Sequence, residues 1–294
     1  MRGRGIDFEH RFKTSRWAED LLIRALGDRH GLITVRFGLS EIRPEAQLVY
    51  GETSYKEPDL LTYSLDDLSK SERQLLKDTN LEAVDRTRFT KGQELDFAFR
   101  KTLAAIEVEF SPYRAKEMKD RDWQPRTVER WNQKPLKRAN PPTAPNVIVK
   151  EEDLPKLLDW QRFTRVPVMV AHLFDQEGFA VDLDTLRDFN RKYESNRSDQ
   201  IKLQVTSGIF KTLQAYDRVD AQGAAEEKTI FRVTPGAAIK IGNLVDVTVA
   251  SQLAVSGSKK YVTHPLFSGG RLEVSDEFLH YLRSLAGKRL TSHR

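Results

Sequence analysis

An α/β fold, with a mixed central β-sheet flanked by helices and a smaller α+β region after it, is what this 294-residue sequence predicts. Two patterns carry the expectation. Short apolar runs rich in β-branched residues alternate with charged segments of helical spacing up to about residue 185, and strands separated by helices build a sheet covered on both faces. Beyond Val181 the chain turns helical and then breaks into closely spaced short β-like runs. The expected division is therefore a core over residues 1–185 and a C-terminal helical and β region over residues 186–294.

Taken in order, Glu9 to Leu26 carries Phe12, Trp17, Leu21, Leu22 and Leu26 at helical spacing and contains Glu19. Leu32 to Gly38 alternates as a strand. Another strand should start at Pro58, because proline is tolerated at a strand's first position and not in its middle. Leu65 to Phe89 is charge-rich, with a short helix and then a polar loop, and is expected to be an insertion. Glu94 to Leu103 fits two patterns, since Leu95, Phe97 and Phe99 alternate like a strand while Phe99, Leu103 and Ile106 recur like a helix; a helix leading into a strand from Ala104 to Phe110 is the favoured reading. Ala139 to Pro145 holds three prolines and forbids regular structure. A strand at Asn146 to Lys150, a helix at about Asp153 to Phe163 and a strand at Val166 to Phe174 follow. Asp182 to Gln214 reads as mostly helical, with a boundary near Tyr216. Short runs at 229–233, 245–249, 260–264 and 271–274 precede a final helix, Asp276 to Leu285, and Gly269-Gly270 is expected to make a turn.

Composition excludes several kinds of chemistry. The chain has no cysteine, which removes disulfides, thiolate zinc sites and cysteine nucleophiles, so any metal must be held by oxygen or by one of six histidines. The histidines show no paired ligand spacing, and His172 in an apolar strand reads as a hydrogen-bonded core residue. No Walker loop, dinucleotide glycine pattern or serine elbow is present. No apolar run approaches the roughly 20 residues that cross a bilayer, nor does a signal-peptide core follow Met1, and a cytoplasmic protein without a membrane partner is expected.

Two acidic pieces hold the candidate chemistry: Lys56-Glu57-Pro58-Asp59-Leu60-Leu61 and Ala105-Ile106-Glu107-Val108-Glu109-Phe110. Each places carboxylates in or beside a run that is otherwise apolar, and burying an unpaired carboxylate costs several kcal/mol unless something compensates it. Glu107 and Glu109, two residues apart on a strand, project from one face, with Val108 turned into the core between them. Asp59, on a neighbouring strand, would complete a cluster for a hard divalent cation, and the Val108 carbonyl could add an oxygen. Asp96 is an alternative to Asp59, through a hairpin from Leu95 to Ala105, and Glu19 could face the cluster from the first helix.

Directly after the acidic pair, residues 111–140 hold Arg114, Lys116, Lys119, Arg121, Arg126, Arg130, Lys134, Lys137 and Arg138 against four acids, with Trp123 and Trp131 among them. Basic side chains interleaved with aromatics suit a polyphosphate with stackable bases. The overall charge of +5 is modest, so this local concentration is the informative quantity.

The arrangement resembles the PD-(D/E)xK nuclease superfamily, with Pro58-Asp59 on one strand and Glu107-Val108-Glu109 on the next. Glu109 stands where that superfamily usually has lysine. Over roughly residues 15 to 190 the chain is similar in particular to the AccI-type restriction endonucleases, through Lys56 to Leu61, Ala105 to Ala115, Asn146 to Leu154, Val166-Pro167-Val168 and Gly178 to Val181. The resemblance implies a restriction-endonuclease-like core and Mg²⁺-dependent cleavage of double-stranded DNA at a short specific sequence by a homodimer, with Mn²⁺ able to replace Mg²⁺. Asp59, Glu107 and Glu109 would be catalytic and, with the Val108 carbonyl, metal-binding; the nine bases would contact DNA. The missing lysine leaves open whether Glu109 binds a second cation or acts as base, with Lys116 or Lys150 as weaker candidates for charge stabilisation. A structure-specific repair nuclease and a catalytically degenerate DNA-binding protein are the alternatives.

Overall fold

The computed structural model describes residues 6–27, 30–38, 56–111, 114–115, 118, 144–219, 225–255 and 261–291. The chain runs α1 (Ile6–Ala25), β1 (Leu32–Arg36), β2 (Leu60–Ser64), α2 (Lys70–Asp78), α3 (Asp96–Lys101), β3 (Thr102–Phe110), β4 (Val147–Lys150), α4 (Leu154–Thr164), β5 (Val168–Leu173) and β6 (Glu177–Asp182). Then come α5 (Leu183–Ser195), α6 (Gln200–Ser207), β7 (Ile209–Val219), β8 (Ala225–Val233), β9 (Ile239–Val255), β10 (Tyr261–Val274) and α7 (Asp276–Thr291). Among the described residues no helix is long and apolar enough to cross a membrane.

The predicted α/β class is the observed one. Seven of the described strands form a mixed sheet in the order β1-β2-β3-β5-β6-β9-β10, and β4-β8-β7 form a second, smaller sheet. Among the described strands only the β3–β5 pair is parallel, and the connection between its strands carries β4 and α4. The alternation of side chains along each strand explains the two-faced burial. Leu61, Tyr63, Ala105, Val168 and Val170 enter one core with α4, α5 and the small sheet. Leu60, Ala104, Ile106, Val108, Met169 and Ala171 enter the other, with α1 and α7. Central strands buried on both faces read as continuous apolar runs, as Leu60–Tyr63 and Leu103–Ile106 do.

The segment after Leu65 holds the expected short helix, α2, and the stretch after it is packed into the core: Leu81, Val84, Arg86 and Phe89 are buried, and Arg86 donates to Glu57, Phe37, Leu81 and Val84. Two expectations are corrected. The helical stretch ends at Ser207, and Ile209 to Gln214 belongs to β7. Gly269-Gly270 makes no chain reversal, because β10 continues through it. Both residues have positive φ (65° and 77°) and form a kink against Asp246 (φ 57°) of β9, with Gly269 paired to Val247 and Arg271 to Val245. A Cβ on Gly270 would stand 2.7 Å from the Val247 side chain, so the kink needs glycine.

Residues 186–294 are helical and β as expected, and part of them builds the large sheet. β9 pairs with β6, β10 with β9, and α7 buries Phe278, Leu279, Leu282 and Leu285 in the core shared with α1. Position 185 thus falls between elements of one sheet.

Candidate functional site

The β2–β3 ladder fixes the acidic pair. Leu60 pairs with Ile106 and Leu61 with Ala105, so the antiparallel register sets Asp59 across from Glu107. Pairing stops at Leu60, which leaves the Val108 amide without a β2 carbonyl; the Asp59 carboxylate takes it instead, with Val108 N donating to Oδ2 at 2.7 Å. Asp59 is held from the other side as well, since Phe37 N donates to its carbonyl at 2.8 Å.

Glu107 and Glu109 share a face of β3, while Val108 lies in the core on the opposite face, as the spacing predicted. Glu107 is 6% exposed. Its Oε1 accepts from the Lys56 Nζ at 2.6 Å, while its Oε2 is buried with no hydrogen-bond partner among the described residues. Lys56 also reaches Asp153 Oδ2 at 3.1 Å, and Lys150 lies 3.9 Å from the same oxygen. Asp153 arrives through the turn between β4 and α4, its amide donating to the Lys150 carbonyl at 3.1 Å.

The electrostatics follow from this crowding. Burial and the neighbouring Glu107 hold the Asp59 carboxyl well above the usual carboxylate range, against the Val108 amide, which favours the anion. Burial likewise raises Glu109, opposed by Lys56 and reinforced by Glu107. Burial alone would lower Lys56, yet Glu107, Glu109 and Asp153 outweigh it and hold the ammonium above its ordinary value. Lys56 is therefore a fixed positive charge.

Asp59 and Glu107 are brought together, and Glu109 lies near enough to feel Lys56, Glu107 and Lys150. No group of three acids or histidines among the described residues is arranged to enclose a metal ion. The donor set nevertheless fits Mg²⁺, which keeps several waters and takes one or two carboxylates plus substrate phosphate instead of an all-protein cage. The orphaned Oε2 of Glu107 and the Asp59 carboxyl, whose anion burial and Glu107 disfavour, are the two acceptors that a cation would satisfy.

Asp96 lies elsewhere. It opens α3, pairs with Arg100 at 3.1 Å and accepts from Gly92 N at 3.1 Å, so the hairpin that would have made it a ligand is a helix. Glu19 does approach the cluster closely enough to raise Asp59, but its own carboxylate is held by Arg36 (2.9 Å) and Arg16 (3.1 Å). His172 is a core residue: it accepts from Ile148 N at 3.3 Å and stacks on Phe174. Of the nine bases, Arg114 is described; Lys116, Lys119, Arg121, Arg126, Arg130, Lys134, Lys137 and Arg138 lie outside the described residues.

Sequence spacing gave no sign of Lys56 or Asp153 as members of the site. Lys56 stands three residues before Asp59 outside any strand periodicity, and its partners are about 50 and about 100 positions downstream. No protein-family model, curated protein or solved structure matches the chain.

Proposed function

We propose that this chain is a divalent-cation-dependent endonuclease that hydrolyses phosphodiester bonds in double-stranded DNA, of the type II restriction kind, acting in the cytoplasm at a short specific sequence. The observation that supports it is the Asp59–Glu107 pair from adjacent strands, with the Lys56 ammonium on Glu107. Asp59 and Glu107 would hold Mg²⁺, or Mn²⁺ in its place. Such an ion supplies Lewis acidity at a phosphoryl oxygen and lowers the pKa of bound water.

The chain's own residues do the rest. Lys56 brings a permanent positive charge beside Glu107, where it would supply the charge stabilisation that a lysine at position 109 would otherwise give to a phosphate. Glu109, on the same face and raised above the ordinary carboxylate value by burial, suits a group that accepts a proton from the attacking water. The bases of residues 111–140 are the candidate DNA contacts, arginines for base edges and lysines for phosphate. One site per chain and two strands to cut favour a twofold homodimer.

Incubating the purified chain with plasmid DNA and Mg²⁺ tests the reading. Discrete fragments that vanish with chelator are expected. A smear, or cutting confined to branched DNA, would make it a repair-type nuclease; intact plasmid bound by the chain would make it a DNA-binding protein with a degenerate site.

A further inference from the structure

Lys56 occupies a position that the proposed function needs for a metal ion. Its Nζ lies 2.6 Å from Glu107 Oε1, so a cation drawn to Glu107 competes with an ammonium already there. Three observations give the ammonium somewhere to remain. It already touches a second carboxylate, Asp153 Oδ2, at 3.1 Å. That oxygen is lightly used otherwise, with Lys150 at 3.9 Å, the outer limit of an ion pair. Asp153 stands at the position before α4, where an aspartate ordinarily accepts from the first helical amides, yet it makes no such bond.

Charge balance points the same way. Asp59, Glu107, Glu109 and Asp153 set four carboxyls against the ammonium groups of Lys56 and Lys150 among the described residues, and burial holds Asp59 and Glu109 above their ordinary values. With all four ionised around a divalent ion, the charges balance when both ammonium groups stay. Expulsion of Lys56 into solvent would leave the cluster negative and take from Asp153 its 3.1 Å partner.

We infer that Asp153 is a positioning residue that retains Lys56 in the site when a divalent cation takes its place at Glu107, so that ion and ammonium face the substrate together. The inference rests on the nuclease reading. It makes Lys56 a competitor of the metal at Glu107, and Asp153 the residue that relieves the competition.

Mn²⁺ binding to the DNA-free full chain, read by electron paramagnetic resonance, tests it beside plasmid cleavage with Mg²⁺. Lys56→Met should tighten Mn²⁺ binding about tenfold and abolish cutting, because the competitor is gone and so is the ammonium. Asp153→Asn should weaken Mn²⁺ binding about tenfold, since Lys56 then stays on Glu107, and Asp153→Glu should restore it. In the Lys56→Met background, Asp153→Asn should change Mn²⁺ affinity by no more than about twofold. An equal loss in both backgrounds means that Asp153 acts on the ion directly, and overturns the inference; so does unchanged Mn²⁺ affinity in Lys56→Met. If the wild-type chain cuts, either result leaves the nuclease reading standing. A wild-type chain that neither binds Mn²⁺ nor cuts overturns both.

Discussion

Replacing Arg86 by methionine should nearly unfold the protein. The guanidinium has no exposure to solvent and makes five hydrogen bonds: Nε and Nη2 to the two Glu57 oxygens at 2.6 Å each, Nη1 to Leu81 O (2.8 Å) and Val84 O (3.0 Å), and Nη2 to Phe37 O (2.9 Å). It also lies 4.3 Å from the centre of the Phe37 ring. Methionine fills much the same space but donates nothing. Breaking a buried ion pair by removing one partner costs about 3–5 kcal/mol, and each buried carbonyl left without a donor adds about 1 kcal/mol or more. These terms overlap, since the segment 81–89 can relax, and a net loss of about 5 kcal/mol is expected, against a total stability of order 5–15 kcal/mol. Urea denaturation followed by tryptophan fluorescence should show the midpoint collapse with an unchanged slope. The double variant Arg86→Met/Glu57→Leu should recover about 2 kcal/mol, because an apolar pair is tolerated better than a buried carboxylate that has lost its guanidinium. A loss below about 2 kcal/mol in the single variant would refute the view that Arg86 anchors this segment. Glu57 lies between Lys56 and Asp59, so residual folded protein should also lose the geometry of the site.

Other expectations follow from the same structure. Burial and Arg232 push the His172 imidazole down to about 3, so the unfolded chain binds a proton that the folded one refuses between the ordinary value of about 6.5 and about 3. Stability should therefore fall as pH drops through that window, by up to about 1.4 kcal/mol per pH unit, and His172→Asn, which keeps an acceptor for Ile148 N, should flatten the slope seen in urea melts at pH 7 and pH 5. A chain ending at Ser275 removes Phe278, Leu279, Leu282 and Leu285 from the core, worth about 1.5–3 kcal/mol each, and should show no cooperative unfolding transition by circular dichroism. Tyr281→Phe deletes the 2.7 Å hydrogen bond to Asp182 that ties α7 to the start of α5 and should cost about 1 kcal/mol in the same melt; an unchanged midpoint would refute a stabilising role for this bond. DNA affinity should fall with salt at a log–log slope of about −4 per subunit if half of the nine bases in 111–140 neutralise phosphates, and a flat response would argue against DNA as the ligand.

The legible part of the site is the part set by local periodicity. Glu107 and Glu109 two residues apart in an apolar run, and a proline before Asp59, placed these carboxylates on one face of adjacent strands from sequence alone. What surrounds them was not legible, because Lys56 on Glu107, Asp153 on Lys56 and Arg86 on Glu57 act through contacts made by the folded chain. Arg86 sits in a polar stretch that reads as loop, yet its charge is carried into the core by Glu57 and three backbone carbonyls. The C-terminal strands were seen in fragments for a related reason. Polar residues such as Asn243, Asp246 and Ser251 interrupt the apolar pattern of β9, but backbone pairing with β10 runs past them without regard to side chains. Tertiary pairing likewise settles Ile209 to Gln214 as a strand against β8, where local pattern favoured helix.

The central claim, that Glu107 anchors a phosphodiester-cleaving metal site, is tested most directly by single-turnover cleavage of plasmid DNA in Mg²⁺ by the wild type and by Glu107→Gln. The substitution keeps the shape of the side chain; it gives up the Lys56 ion pair but leaves Lys56 on Asp153 and relieves repulsion with Asp59 and Glu109, so the variant should stay folded and bind DNA equally well in Ca²⁺. Its cleavage rate should fall by about three orders of magnitude or more. Cleavage by Glu107→Gln within a few-fold of the wild-type rate would contradict the account.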